Sequence, residues 1–298
     1  ATSDVIKPDI TAPGVKILAG ASSQPMLAAP GNSFAYLQGT SMSSPHIAGM
    51  AALVKEVNPS WTPAMIKSAL MTTARQNLTK ENGVTPADPF DFGAGHAVPN
   101  KATNPGLTYD IGSLDYFAFL CGVGNRAFVL SASGFSCDAF EAANYDTDPS
   151  QLNLPSLAIG ELSGTETLYR EVTEVSGSAS VYTATIEAPA GVDVTLVGGN
   201  TLSVAANGKA SYGLTFKPNQ SAVIGQWAFG AITWSDGAHS VRSPIAVKVE
   251  SPKMIVAPET VSASVNTLKS TVAIKHDFLG VKKSLLPSSL GVNALGRS

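Results

Sequence analysis

The run Ile47–Val54 constrains the fold of this chain more than any other segment, because as a helix it is apolar on every side. A helix of that kind is normally enclosed by other elements. The helix is predicted from Thr40 or Ser41 to Val57, since a proline follows two residues later and the residue before a proline avoids the α region. Pro45 is tolerated because it falls in or near the first turn. The sequence therefore predicts a central, buried helix.

Ser41 lies at the head of this helix. The short predicted strand Phe34–Leu37 leads into Gly39, and a glycine permits a tight backbone approach beside the serine. The free N–H groups and the positive dipole end of a helix's first turn stabilise a developing oxyanion. A serine hydroxyl is a weak nucleophile that needs a base, normally a histidine oriented by a carboxylate. Ser41 is a candidate nucleophile, and the alternative is a purely structural N-cap hydroxyl.

The segment Gly39–Gly49 (GTSMSSPHIAG) resembles the nucleophile motif of the subtilisin-like serine peptidases, the subtilases. Three further segments, in the same order as in that family, extend the resemblance: Lys7–Val15, Asn58–Pro63 with the helix after it, and Phe90–His96 with Asn104–Asp110. The last of these is similar to the closing segment of subtilases that carry a C-terminal fibronectin-type-III-like domain. The resemblance covers roughly residues 4–120 and continues more faintly to about residue 250.

The resemblance implies an α/β fold, the C-terminal part of a subtilisin-like parallel-sheet domain with a buried central helix, followed by an all-β fibronectin-type-III-like sandwich. It also implies a secreted serine endopeptidase that acts on protein or peptide substrates. Ser41 would attack the peptide carbonyl, and its own backbone N–H would donate to the oxyanion, with Thr40 assisting. Gly39 would allow the close approach, and Leu37 and Gln38 would border the leaving-group side of the cleft.

The order of the catalytic residues departs from the family pattern. In subtilisin the triad runs Asp, then His, then Ser along the chain, so Ser41 should be the last member. No histidine precedes it, and neither Asp4 nor Asp9 lies in the family's aspartate motif. The upstream asparagine of the family's oxyanion hole has no place here either. We therefore expect the chain to be the C-terminal portion of a larger protease, with its Asp and His missing upstream and no activity alone.

His46 does not replace the missing base. Five helical positions separate it from Ser41, which gives ~140° between the side chains and ~7.5 Å of rise, whereas a catalytic hydrogen bond spans ~2.6–3.2 Å. His46 is therefore expected to be structural. His96, in a glycine-rich turn, is expected to serve packing or hydrogen bonding, and His239 and His276 are expected to be solvated.

The composition favours an extracellular protein and excludes several partners. Charged residues make up 14% of the chain, against about 25% in typical soluble domains. The net charge is −3 without a basic stripe, so nucleic acid is not an expected partner. No apolar run approaches the ~20 residues of a membrane span. We predict no cofactor and no metal site, because the cysteines and histidines lack ligand spacing.

Cys121 and Cys137 are the only cysteines. In an exported protein a disulfide between them is plausible, and the alternative is two unpaired buried thiols. The predicted organisation has four parts. These are a subtilisin-like part (1–120), a connector with the possible disulfide (121–151), the sandwich (152–250), and a tail or the start of a further β module (251–298).

Residues 5–10 and 15–19 are predicted as short strands separated by a turn at Ala12-Pro13-Gly14. The tail opens with strand-like residues 254–256 and alternating residues 261–265, and it then loses its periodicity.

Further local signals support this organisation. A second helix is predicted with Ser60 or Thr62 as its cap and Pro63 in its first position. From residue 152 the pattern alternates with period two, which is typical of a β-sandwich of about seven strands. Asn207-Gly208 and Asp236-Gly237 are hairpin signals within it.

Two other classes of function remain open. One is a non-catalytic secreted binding or adhesion protein that retains a subtilase remnant as a scaffold. The other is an α/β-hydrolase esterase, which is disfavoured because Ser43 stands where the G-x-S-x-G elbow requires glycine.

Overall fold

The computed structural model of the chain describes residues 4–22 and 30–251, together with the backbone of residues 274–278 and 281–285. Two short strands, β1 (Ile17–Gly20) and β2 (Phe34–Leu37), pair antiparallel and lead into the helices. The helices of the described part are α1 (Thr40–Val57), α2 (Pro63–Thr72), α3 (Pro89–Phe92), α4 (Pro99–Ala102), α5 (Ser113–Gly122), α6 (Arg126–Ser133) and α7 (Cys137–Ala142).

The strands that follow form two facing sheets. They are β3 (Leu107–Thr108), β4 (Leu157–Leu162), β5 (Glu166–Glu174), β6 (Ser180–Glu187), β7 (Val192–Val197), β8 (Thr201–Val204), β9 (Lys209–Pro218), β10 (Trp227–Ser235) and β11 (Ser240–Val249). One sheet has the order β4-β11-β10-β6-β8 and the other the order β3-β5-β9-β7. Only the β4–β11 pair is parallel among these sandwich strands, all of which lie in the described part.

The inner faces of the two sheets form the main hydrophobic core. Leu168 and Val172 of β5 point inward together with Tyr182, Phe216 and Trp234, and all five are buried. The alternation that predicted a sandwich is thus the alternation of inward and outward side chains along each strand. The predicted order, an α/β part followed by a β-sandwich, is confirmed. The boundaries at residues 120, 151 and 250 stay a prediction.

The two hairpin signals have different outcomes. Asp236-Gly237 lies in the connection between β10 and β11, which pair from Ser235 and Ser240 onward, so that hairpin is confirmed. Asn207-Gly208 forms a turn, with Asn207 at φ 54°, but the prediction of a hairpin there is wrong. The turn joins β8 to β9, which belong to opposite sheets, so it carries the chain across the sandwich.

Helix α1 forms at the predicted residues, but its surroundings differ from the prediction. Only Val54 is buried along its length, where it packs with Trp61, Ile66 and Leu70 of the α2 region. Leu53 is 56% exposed. The expected enclosure on all sides is absent because the described part of the chain places α2 and α4 against one side of the helix only.

The segment before β1 also differs from the prediction. Residues 5–10 were expected to form a strand, yet no strand is assigned there. Before β3, the described residues contain the antiparallel β1–β2 ribbon and isolated bridges, of which Thr11–His96 is parallel, in place of an extended parallel sheet. In the predicted strand 5–10, the side chain of Ile6, which is 2% exposed, packs on Ala158 and Ala246 of the sandwich.

The predicted disulfide between Cys121 and Cys137 is present. It joins α5 to α7, and its half-cystines lie in a small core with Ala118, Val129 and Phe140. A crosslink that closes a loop of this length stabilises a fold by about 3 kcal/mol, mainly through the unfolded state. The disulfide therefore holds together a helical unit with a small core of its own.

The helical part and the sandwich are joined by buried contacts. The hydroxyl of Tyr109 lies 2.7 Å from that of Tyr212 and 2.9 Å from that of Ser243, both in the sandwich. The backbone N–H of Tyr109 donates to the Ser68 hydroxyl of α2 at 2.9 Å. Burial raises the pKa of the Tyr109 hydroxyl, so it remains a neutral hydrogen-bonding group. The two parts therefore share one packed interface.

The predicted tail or start of a further β module (251–298) stays a prediction. The strand-like residues 254–256 and 261–265 lie outside the described residues. The described backbone contains two antiparallel strands, β12 (Ile274–Phe278) and β13 (Val281–Leu285), although the sequence loses its periodicity there. Within residues 4–22 and 30–251, the helices lack the combination of length and hydropathy that a bilayer-spanning helix needs.

Candidate functional site

The candidate site is the corner where β2 turns into α1. Gly39 is the N-cap residue, with φ 136°, a backbone conformation that strongly favours glycine. Its carbonyl oxygen accepts the N–H groups of Met42 at 3.0 Å and Ser43 at 3.4 Å. No side chain caps the helix. The backbone N–H groups of Thr40 and Ser41 lie ahead of these bonds and have no carbonyl within the helix to accept them.

A second glycine supports the corner from behind. The Gly39 N–H donates to the carbonyl of Gly14 at 2.8 Å. A Cβ atom on Gly14 would lie 2.2 Å from the Ser43 hydroxyl oxygen and 2.9 Å from the Gly39 carbonyl oxygen. Only glycine fits at this position. The sequence Ala12-Pro13-Gly14 predicts a turn here, but it gives no sign of the contact with Gly39 and Ser43.

The five predicted site residues lie together at this corner. Leu37 is half-buried, whereas Gln38, Gly39, Thr40 and Ser41 are exposed. Within the described residues no hydrogen bond holds the Ser41 hydroxyl. Ser41 is therefore not the N-cap residue, and its hydroxyl and N–H are both open to an incoming ligand.

His46 has the structural role that the sequence predicts. Its Nδ1 atom lies 2.7 Å from the backbone carbonyl oxygen of Met42, one turn earlier on the same helix. His96 lies in a backbone bridge with Thr11 and Arg75. Burial, with a smaller contribution from the Arg75 charge, lowers the pKa of His96. Neither imidazole hydrogen-bonds to Ser41.

His239 differs from the prediction of a solvated side chain. Its side chain is 15% exposed, and its Nδ1 atom lies 2.9 Å from Oδ2 of Asp236. The other carboxylate oxygen, Oδ1, accepts the backbone N–H of His239 at 2.6 Å. The ring also lies against Gly106, where the chain enters β3. The pair forms because the β10–β11 turn brings the Asp236 carboxylate back onto His239, a contact that the hairpin signal alone does not predict. The side chain of His276 lies outside the described residues.

Other perturbed groups lie away from the corner. Burial, reinforced by the charges of Asp148 and Asp4, raises the pKa of Glu166 to about 7. This carboxyl is on β5 of the sandwich, so it is not a candidate base for Ser41. Among the described residues, no group of three or more His, Cys, Asp or Glu side chains could hold a metal ion.

Comparisons with known proteins agree with the two-part organisation. A family model described as the subtilase family matches residues 1–95, and one described as a fibronectin type-III domain matches residues 151–247. Subtilisin-like protease SBT1.7 of Arabidopsis thaliana is 39% identical over 264 residues, covering 83% of this chain and 34% of that protein. Subtilisin-like protease SBT3.2 of the same plant is 40% identical over 253 residues, with the same coverage.

A third relative, subtilisin-like protease Glyma18g48580 of Glycine max, is 38% identical over 263 residues, which cover 82% of this chain and 32% of the relative. The chain thus spans about a third of the length of the curated relatives it matches. The subtilase match contains Ser41 and its corner, and the fibronectin match contains nearly all strands of the sandwich. The chain therefore belongs to the subtilase family, in the group whose members carry a C-terminal fibronectin type-III-like domain.

Proposed function

We propose that Ser41 is the nucleophile of a secreted subtilisin-like serine endopeptidase, and that this chain is the C-terminal portion of that enzyme. The observation that carries the proposal is the exposed Ser41 hydroxyl at a helix head whose first N–H groups have no acceptor within the helix. The alternative role of an N-cap hydroxyl requires the serine to stand just before the first helical residue. Gly39 occupies the N-cap position instead, with no side-chain cap.

The geometry suits the attack step of peptide hydrolysis. The Ser41 hydroxyl oxygen adds to the peptide carbonyl, its proton passes to an imidazole, and the carbonyl oxygen becomes an oxyanion. The N–H of Ser41 and the positive end of α1 stabilise that oxyanion, and Thr40 lies beside it. Leu37 and Gln38 border the leaving-group side. The imidazole then protonates the leaving amine, and water releases the acyl group from Ser41.

The imidazole and its carboxylate are proposed to come from the upstream part of the protease. Within the described residues, none of the three histidines whose side chains the structure describes hydrogen-bonds to Ser41. The His46 ring contacts the Met42 carbonyl and the His239 ring contacts Asp236, while the His96 backbone is bridged to Thr11 and Arg75. A serine without a base retains only the contribution of the oxyanion hole and of substrate binding. The chain alone is therefore proposed to be inactive.

Hydrolysis by two forms of the protein tests this proposal. We expect the protease expressed from its complete coding sequence to cleave a casein-type substrate, and the purified 298-residue chain to show no hydrolysis that depends on Ser41. Far-ultraviolet circular dichroism of the chain serves as the control for folding. Ser41-dependent cleavage by the chain alone would contradict the missing-base account, and an inactive complete protein would favour the non-catalytic binding or adhesion function.

A further inference from the structure

The sandwich reaches the Ser41 corner through residues 4–14, which we call segment 4–14. The first half of this segment is fixed on the sandwich. The Asp4 carboxylate accepts the backbone N–H of Gly160 at 2.8 Å. Ile6, which is 2% exposed, packs on Ala158 and Ala246, with Trp227 and Phe229 beside them. These contacts belong to the outer face of the β4-β11-β10 sheet and not to the central core.

The other half of segment 4–14 ends at the catalytic corner. Asp9 forms an ion pair with Lys67 of α2 at 2.8 Å. Burial by itself would raise the pKa of Asp9, but the contacts with Lys67 and Lys7 outweigh it and hold that pKa below its usual value. Five residues later, the Gly14 carbonyl accepts the Gly39 N–H at 2.8 Å. The position of Gly14 therefore sets the position of Gly39, two residues before Ser41.

A second anchor fixes the same segment from the side. Phe90 of α3 packs edge-on against two sandwich rings, at centroid distances of 4.9 Å to Trp227 and 5.1 Å to Phe229. The chain then turns at Gly93, where a Cβ atom would lie 2.3 Å from the carbonyl oxygens of Pro8 and Asp9. The rings of the sandwich thus hold the turn that lies against the middle of segment 4–14.

Backbone hydrogen bonds complete this link. The N–H of Ala94 donates to the Asp9 carbonyl, the N–H of Thr11 donates to the Gly95 carbonyl, and the N–H of Ala97 donates to the Thr11 carbonyl, each at 2.9 Å. Segment 4–14 is therefore held by the sandwich directly through Ile6 and indirectly through Phe90. Together the two paths fix the segment up to Thr11, three residues before Gly14.

We propose that the fibronectin type-III-like sandwich sets the position of the Ser41 corner through segment 4–14, with Ile6 and Phe90 as positioning residues. The proposal rests on the proposed role of Ser41 as nucleophile. Both side chains contact the sandwich and not the Ser41 corner. Each keeps Gly14, and hence the Gly39–Ser41 backbone, where the oxyanion needs its donors. A displacement of about 1 Å at such a site costs up to about 100-fold in rate.

The test uses Ile6→Ala and Phe90→Ala in the protease expressed from its complete coding sequence. Leu202→Ala is the matched control, because Leu202 is a buried sandwich side chain in the central core, away from segment 4–14. Ile6→Val, which keeps most of the packing, is the conservative variant. Two quantities are measured in each variant: hydrogen exchange of the Gly39 amide, and kcat separately from KM.

In Ile6→Ala and Phe90→Ala we expect exchange at the Gly39 amide to quicken by about tenfold or more. We also expect kcat to fall by about 10- to 100-fold at nearly constant KM. Leu202→Ala should lower the melting temperature without either effect, and Ile6→Val should restore most of kcat. Unchanged Gly39 exchange, or faster exchange with wild-type kcat, would overturn the inference. If Ser41→Ala retains activity, the proposed function fails instead, while Gly39 exchange still reports on the mechanical link.

Discussion

Ser41→Ala is expected to lower the kcat of the complete protease by about five to six orders of magnitude, the largest effect of any single change that we foresee. The reason is that every covalent step of the proposed mechanism uses the Ser41 oxygen, and loss of a triad serine leaves only the oxyanion hole and substrate binding. KM should change little, because the Ser41 hydroxyl lies at an exposed corner and makes no hydrogen bond within the described residues. Steady-state hydrolysis of a peptide substrate measures both constants.

The control for this prediction is Ser44→Ala. Ser44 is an exposed serine in the first turn of the same helix, so its removal reports on helix stability without removing the proposed nucleophile. We expect Ser44→Ala to keep kcat within about twofold, since exposed substitutions usually change stability by less than about 0.5 kcal/mol. Equal activity in Ser41→Ala and wild type would contradict the proposed role.

Arg170→Met is expected to lower the free energy of unfolding of the chain by about 3 kcal/mol. Arg170 is 3% exposed on β5, and its guanidinium group donates to backbone carbonyls alone. The acceptors are the carbonyls of Leu154 at 3.0 Å, Tyr169 at 2.8 Å, Ser150 at 2.9 Å and Ser156 at 3.2 Å.

Burial of the guanidinium lowers the pKa of Arg170, which marks the cost of placing a charge there. The four hydrogen bonds offset that cost, and they tie residues 150–156 to the sandwich. Methionine would fill much of the space but remove these donors from the buried carbonyls of Leu154, Ser150 and Ser156, each at a cost of about 1–3 kcal/mol. The substitution also removes the desolvation cost of the buried charge. The net loss in the free energy of unfolding is therefore smaller than the sum of the carbonyl penalties.

Urea unfolding followed by tryptophan fluorescence measures this change. Arg170→Lys should show an intermediate loss, because an ammonium group has three donors but no planar fork. Arg126→Met is the matched control. Arg126 pairs with Asp138 and Glu141 on the surface, and its side chain is 53% exposed, so its replacement should cost less than about 1 kcal/mol. Equal losses for Arg170→Met and Arg126→Met would contradict this account of the buried guanidinium.

Much of this fold is predictable from local helix-capping and turn signals. The cap of α2 is Thr62, whose hydroxyl accepts the Met65 N–H at 3.1 Å, with Pro63 in the first helical position. Such signals act within a few residues of each other, so the sequence alone identifies them. The same holds for the Ser41 corner, where a strand, a glycine and a helix head follow one another without interruption.

What could not be predicted depends on residues far apart in the chain. The exposure of α1 depends on which elements cover it, and Ile6 was assigned to a strand because its sandwich partners Ala158 and Ala246 are more than 150 positions away. Arg170 lies on the inward face of β5, between Leu168 and Val172. Three of the four carbonyls that accept its hydrogen bonds belong to residues 14 to 20 positions earlier, which no local pattern reveals.

Chemical labelling tests the central claim most directly. The protease expressed from its complete coding sequence is treated with a fluorophosphonate probe, which reacts with activated serines, then digested and analysed by mass spectrometry. The account predicts one adduct, on the peptide that contains Ser41, with labelling abolished in Ser41→Ala and retained in Ser44→Ala. An adduct on a different serine, or hydrolysis of protein by an enzyme whose Ser41 stays unlabelled, would contradict it.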